Sequence, residues 1–151
     1  MLDIKKGNIS KPALMLGKKI KGKVSIIITN YNKERFLRGA ILSCLSQSYK
    51  DIEVIVVDDG SNKEASLSIA KRAGSHKVRF FYTTKNYGHY ACCNYAIDQS
   101  TGEYITFLGA DDTIGRDHIK YLLIALKKYK LAGVCSLYTR YFENGKKAGK
   151  S

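Results

Sequence analysis

Two adjacent carboxylates, Asp111 and Asp112, stand at the end of a short apolar run, Tyr104-Ile-Thr-Phe-Leu-Gly-Ala110. Such a pair can hold a hard divalent cation through oxygen, and a cation held there can neutralise a pyrophosphate. The same residues also fit a plainer role, with Asp112-Thr113 capping the helix that follows and Asp111 solvated in a turn. Three more apolar runs end in groups of comparable use. Tyr31 follows Val24-Ser-Ile-Ile-Ile-Thr29, Asp58-Asp59-Gly60-Ser61 follows Glu53-Val-Ile-Val-Val57, and Asn86-Tyr-Gly88 follows the run ending at Tyr82. Each alone has a structural reading: a packing ring, a turn acid, ordinary loop chemistry. Together they place acids, an aromatic face and an amide after successive strands.

The elements that must position these groups are legible from periodicity. Near-continuous β-branched runs at Val24–Thr29 and Glu53–Val57 suit strands covered on both faces. Val78–Tyr82 and the run from Tyr104 make two more, and Val134–Tyr138 reads as a fifth. Between them the apolar spacing changes to three and four. Phe36, Leu37, Ala40, Ile41, Cys44 and Leu45 share one helical face, and helices are also predicted from Lys63 to Ala73, after Gly88 to Gln99, and through Ile119, Leu122, Leu123, Leu126 and Tyr129. Phe142-Glu-Asn-Gly145 looks like a hairpin turn. Alternating strands and helices at this period imply a mostly parallel sheet with helices on both faces, whose ligand crevice lies at the carboxyl ends of the strands.

A chain of 151 residues, 44% hydrophobic, is enough for one domain with its own core. Its net charge of +13 suggests nucleic acid until it is divided along the chain. Residues 1–23 hold seven Lys against one Asp, and residues 127–151 hold seven Lys or Arg against one Glu, so residues 24–126 carry only +1. The basicity belongs to the ends, no recognition motif interleaves with it, and a nucleic-acid binder is disfavoured. Residues 1–22 read as a basic arm suited to an anionic membrane surface. No apolar run reaches the roughly 18 residues that span a bilayer, and the N-terminal stretch lacks the apolar core of a secretion signal. Cys44, Cys92, Cys93 and Cys135 have no zinc spacing and read as reduced, mostly buried thiols. The chain therefore reads as cytoplasmic, at most peripheral to a membrane.

Four blocks in order resemble the signature of family 2 glycosyltransferases with the GT-A fold: Val24-Ser-Ile-Ile-Ile-Thr-Asn-Tyr-Asn32, Val56-Val-Asp-Asp-Gly-Ser61, Asn86-x-Gly88 with Asn94, and Gly102-Glu-Tyr-Ile-Thr-Phe-Leu-x-Ala-Asp-Asp112. The resemblance runs from residue 24 to about residue 140. It implies a Rossmann-like α/β domain over residues 23–151 whose first half binds a nucleotide-diphosphate sugar, a UDP-sugar, with Mn2+ or Mg2+ for inverting transfer. In that reading Thr29 and Tyr31 hold and stack the base and Asp59 accepts from its edge. Asn86 and Gly88 belong to the same nucleotide-binding set, and Asp111 is the metal-binding acid. An aromatic face suits a pyrimidine, and a carboxylate suits its ring N–H.

The chain departs from the family pattern at three places. Gly109 replaces the first acid of the Asp-x-Asp motif, a loss for which Asp112 compensates. Cys92-Cys93-Asn94 stands where Ala-Arg-Asn is frequent, so Lys85 or His89 becomes the candidate cation near the phosphates. Beyond Asp112 the only acids are Asp117, placed to offset a helix macrodipole, and Glu143. Neither suits the base that inverting transfer requires. The catalytic residue is thus unassigned, and the chain reads as a donor-binding half, truncated before its acceptor half. The acceptor that the resemblance implies is a polysaccharide or a lipid-linked molecule. The alternative is a nucleotide-sugar-binding module that does not turn over alone and acts with a partner.

Overall fold

In a computed structural model the described residues are 4–7, 19–73, 75–137 and 139, the strand 4–7 by its backbone. Five strands form one sheet in the order β1-β4-β3-β2-β5. They are β1 (Ile4–Gly7), β2 (Ile20–Asn30), β3 (Ile52–Asp58), β4 (Val78–Thr83) and β5 (Gly102–Gly109), and four helices alternate with them: α1 (Glu34–Leu45), α2 (Lys63–Arg72), α3 (His89–Gln99) and α4 (His118–Lys128). Strands β2 to β5 are mutually parallel, and β1 joins β4 antiparallel.

The sheet is covered as its sequence demands. Every residue of β3 is buried, which is why that strand shows no polar alternation. On one face Val24, Ile26, Ile28, Val54, Val56 and Phe80 pack with Leu37 and Ile41 of α1, Ala70 of α2, and Ile119 and Leu123 of α4. On the other, Ile27, Ile55, Val57 and Phe81 pack with Cys92 and Ala96 of α3. Each apolar residue removed from water stabilises the sheet, and Ile55→Ala, fully buried, would cost about 2–5 kcal/mol.

Strand order also locates the functional edge. The chain lays β2, β3 and β4 side by side in one direction and then returns to place β5 on the other flank of β2. This reversal makes the gap between the carboxyl ends of β2 and β5 a topological switch point, where open α/β sheets bind ligands.

Three expectations differ from the structure. Within the stretch read as an arm, Ile4–Gly7 pair with Phe80–Thr83, so a lysine-bearing segment closes the sheet edge. Strand β2 starts at Ile20, which pairs with Gly102 before an irregularity at Val24. Val134–Leu137 form no strand: Cys135, Ser136 and Leu137 are exposed, and apolar composition without a pairing partner does not make a ladder. Tyr138 and the turn expected at Phe142–Gly145 lie outside the described residues.

Candidate functional site at the switch point

The carboxyl end of β3 carries two acids with different work. Asp58 is fully buried; one oxygen accepts from the Ser61 backbone N–H at 2.8 Å, and the other accepts from Asn30 Nδ2 at 2.7 Å and from the Ser66 hydroxyl at 2.5 Å. It staples the end of β2 to the β3–α2 turn. Asn62 then caps α2 by accepting from the Ala65 N–H at 3.1 Å.

Asp59 turns the other way. Its carboxylate is held 3% exposed and accepts backbone N–H bonds from Tyr87 and Gly88, both at 2.8 Å. Gly60 makes this grip attainable. At φ +79° it occupies the left-handed region, and a Cβ there would sit 2.6 Å from the Lys85 carbonyl carbon and 2.7 Å from the Asn86 nitrogen. Asp59-Gly60 thereby clamps the β4–α3 loop, and Gly88, the N-cap residue of α3, leaves it at φ +92°. The clamp also sets residues predicted from sequence: Asn86 is exposed, and Gly88 is half-buried beside the acid.

On the β2 side the Thr29 hydroxyl and His89 Nδ1 are hydrogen-bonded at 2.8 Å, joining the end of β2 to the start of α3. Tyr31 is 49% exposed, which leaves its side chain accessible at this edge. Thr29 is in register with Gly109 of β5, the position at the switch point itself.

Past Gly109 the chain turns, with the Asp112 N–H bonded to the Gly109 carbonyl at 3.1 Å. A Cβ built on Gly109 would lie 2.8 Å from Asp112 Oδ2 and 3.2 Å from Asp111 Oδ1. The two carboxylates therefore converge on the space that the missing side chain would fill, a cradle of hard oxygens suited to a divalent cation. Among the described residues no group of three or more His, Cys, Asp and Glu side chains gathers to hold a metal, so further ligands would have to come from a bound molecule. The other oxygen of Asp111 accepts from Lys33 Nζ at 2.9 Å, and this lysine holds the Asp111 carboxyl below its usual range. These acids border a cleft of about 850 Å³ that also includes Phe107, Thr113 and His118.

The loop bearing the acids is tied down from behind by α1 and the turn that follows it. Gln47, fully buried, accepts from the Ile119 N–H at 3.0 Å and donates to the Gly115 carbonyl at 2.7 Å, and Ser43 Oγ accepts from the Ile114 N–H at 3.2 Å. Neither Asp112 nor Thr113 caps α4. Its N-cap residue is Asp117, whose side chain makes no capping bond, so the buried glutamine satisfies the first turn instead.

The structure thus groups Thr29, Tyr31, Asp59, Asn86 and Gly88 on the β2–β4 side of one edge, and Asp111 and Asp112 on the β5 side. Lys33 and Gln47 were not anticipated. A lysine at a helix start, where the macrodipole opposes it, was the available signal for the first; a lone Gln two residues past the end of an amphipathic pattern gave little for the second. Lys85 packs over the Tyr87 ring at 5.1 Å. Cys44, Cys92 and Cys93 are buried and free. Burial pushes Cys44 and Cys92 up to about 12, with the nearby Asp59 charge adding to the rise at Cys92, so neither is a nucleophile at neutral pH.

Comparison with known proteins bears on the family and the fold. The sequence model of glycosyl transferase family 2 matches residues 25–151. An uncharacterised glycosyltransferase of Haemophilus influenzae is 42% identical over 98 residues, 64% of this chain and 39% of that protein. Glycosyltransferase GlyA of Streptococcus pneumoniae is 35% identical over 109 residues, 72% of this chain and 16% of that protein. Among solved structures, Staphylococcus aureus TarS 1–349 in complex with UDP-GlcNAc superposes with a TM-score of 0.65 at 25% identity, covering 72% of this chain and 32% of that one. The mannosyltransferase PcManGT of Pyrobaculum calidifontis, in complex with GDP-Man and Mn2+, gives 0.63 at 25% identity over 69% and 32%. The chain spans less than half the length of each.

Proposed function

The chain belongs to glycosyltransferase family 2 and carries the GT-A fold, and from that premise we propose that its switch-point crevice binds a nucleotide-diphosphate sugar, a UDP-sugar, for inverting glycosyl transfer. The observation that carries the reading is the register of Thr29 with Gly109: base-binding groups and paired acids flank the two strands of a single switch point. The uridine ring stacks on half-exposed Tyr31 beside the Thr29 hydroxyl. Asp59 serves the pocket from behind. It fixes the loop of Asn86 and Gly88 through both carboxylate oxygens, and it is the acid proposed to accept from the base N–H at the floor of that pocket.

Asp111 and Asp112 are the residues that would hold Mn2+ or Mg2+, whose Lewis acidity would neutralise the departing diphosphate. That TarS was solved with UDP-GlcNAc and PcManGT with GDP-Man and Mn2+ supports a nucleotide sugar and a divalent cation as the ligands. No carboxylate of this chain is assigned as the base for the acceptor, which we take to be a polysaccharide or a lipid-linked molecule.

Amide chemical-shift mapping with UDP tests the placement. Perturbations should concentrate at Thr29, Tyr31, Tyr87, Gly88 and Asp111. Shifts confined to the apolar groove between β5 and α4, around Ile105, Leu122 and Leu126, would place the ligand elsewhere.

A further inference from the structure

Lys33 is the N-cap residue of α1, where hydroxyl or acidic side chains are favoured and the positive end of the helix opposes a cation. It makes no capping bond. Its ammonium instead crosses to Asp111 Oδ2 at 2.9 Å, with side-chain exposures of 49% and 45%. Arg35, two residues further, lies over the Phe36 ring at 4.4 Å. The cation on the acid pair is therefore contributed by a residue poorly placed for its own helix. The pair also sits beside Gly109, where one carboxylate fewer is available to attract metal.

We propose that Lys33 is the resident counter-ion of the divalent-cation site: it pairs with Asp111 Oδ2 in the nucleotide-free protein, releases it when a cation enters the adjoining cradle of Asp111 Oδ1 and Asp112 Oδ2, and swings to the diphosphate. The proposal rests on the donor-site reading above. Lys33, Asp111 and Asp112 together carry a charge of −1, which attracts a bare divalent cation weakly. A diphosphate changes the balance, because it offers the ammonium a more highly charged partner and frees Asp111. Half-exposed side chains on both partners allow the exchange at small cost, since an exposed ion pair contributes only about two- to five-fold to an equilibrium. Metal and nucleotide are thereby coupled, each entering more readily after the other.

Calorimetric titrations of the full chain, Lys33→Met and Lys33→Arg test this with Mn2+ alone and with UDP in chelator. Lys33→Met should bind Mn2+ alone about two- to five-fold tighter and UDP in chelator several-fold weaker, while Lys33→Arg retains both affinities. Damage to the fold cannot produce the first result, because partial unfolding never tightens a metal site. Unchanged or weaker Mn2+ binding by Lys33→Met overturns the counter-ion role, and unchanged UDP binding overturns the transfer to diphosphate. A wild-type chain that binds no UDP at all removes the donor-site reading and this proposal with it.

Discussion

Asp59→Asn changes one atom type and tests whether the acid works through the loop it clamps. The carboxylate offers two oxygens, one to the Tyr87 N–H and one to the Gly88 N–H, both at 2.8 Å. An amide offers one oxygen, so its NH2 must face the other backbone donor, with no water to soften the clash in a site 3% exposed. Losing one charge-assisted bond and orphaning one buried N–H costs about 2–4 kcal/mol in total. For a domain of this size that is a fall in melting temperature of roughly 6–12 °C. Thermal unfolding gives the stability, and UDP titration on the same samples gives the site. Both should fall together, because the loop carrying Asn86 and Gly88 loses its anchor. A variant as stable as wild type would refute the clamp. A variant that is destabilised yet binds UDP undiminished would show that the loop takes no part in the nucleotide pocket.

Three other substitutions or probes follow from the same structure. Glu53 is buried and accepts from the Ser25 hydroxyl and from the Thr101 N–H and hydroxyl at 2.6–2.8 Å, with Arg79 at 3.3 Å. Glu53→Gln should cost about 2–4 kcal/mol of stability at neutral pH. Burial alone would raise this carboxyl, but the Ser25 and Thr101 hydrogen bonds and Lys23 outweigh it and lower its pKa. Its stabilisation is therefore present above the unfolded value of about 4.3 and is lost as pH falls through the lower folded one, so the wild-type advantage in denaturant melts should vanish in strong acid. Gln47→Ala strands the Ile119 N–H and the Gly115 carbonyl and should cost about 2–4 kcal/mol; a variant within experimental error of wild type in urea unfolding contradicts the tether. A thiol reagent at pH 8 should modify Cys135 rapidly and Cys44, Cys92 and Cys93 only after denaturant, because the first is exposed and the others are buried with raised pKa values.

Most of the sheet was legible in the sequence because its signals are local. A strand such as Glu53–Val57, apolar on both faces, and helices with a clean three-and-four spacing announce themselves within ten residues. Acids at strand ends follow from the same periodicity, and so Asp111 and Asp112 could be placed at a crevice edge. What escaped depends on partners distant in the chain. Ile4–Gly7 is a strand only because Phe80–Thr83 offers it a free edge, and a short lysine-bearing edge strand looks like an arm in isolation. Val134–Leu137 shows the converse, since β-like composition without a neighbouring ladder stays irregular. The sequence could nominate both Asp58 and Asp59 but could not divide their labour: that division depends on Asn30, Ser66 and the Tyr87–Gly88 backbone, up to 29 residues away. The Lys33–Asp111 pair spans 78 positions, and its one local trace is a lysine set at a helix start, which does not name its partner.

The central claim, that one edge of this sheet binds a nucleotide diphosphate together with a divalent cation, is tested most directly by calorimetric titration of UDP into the chain with Mn2+ and again in chelator. Binding should be clearly tighter with Mn2+, and Asp111→Asn should abolish the difference while leaving the fold intact. Equal affinity in the two conditions would rule out a metal bridge at Asp111 and Asp112, and absence of UDP binding in both would contradict the donor site itself.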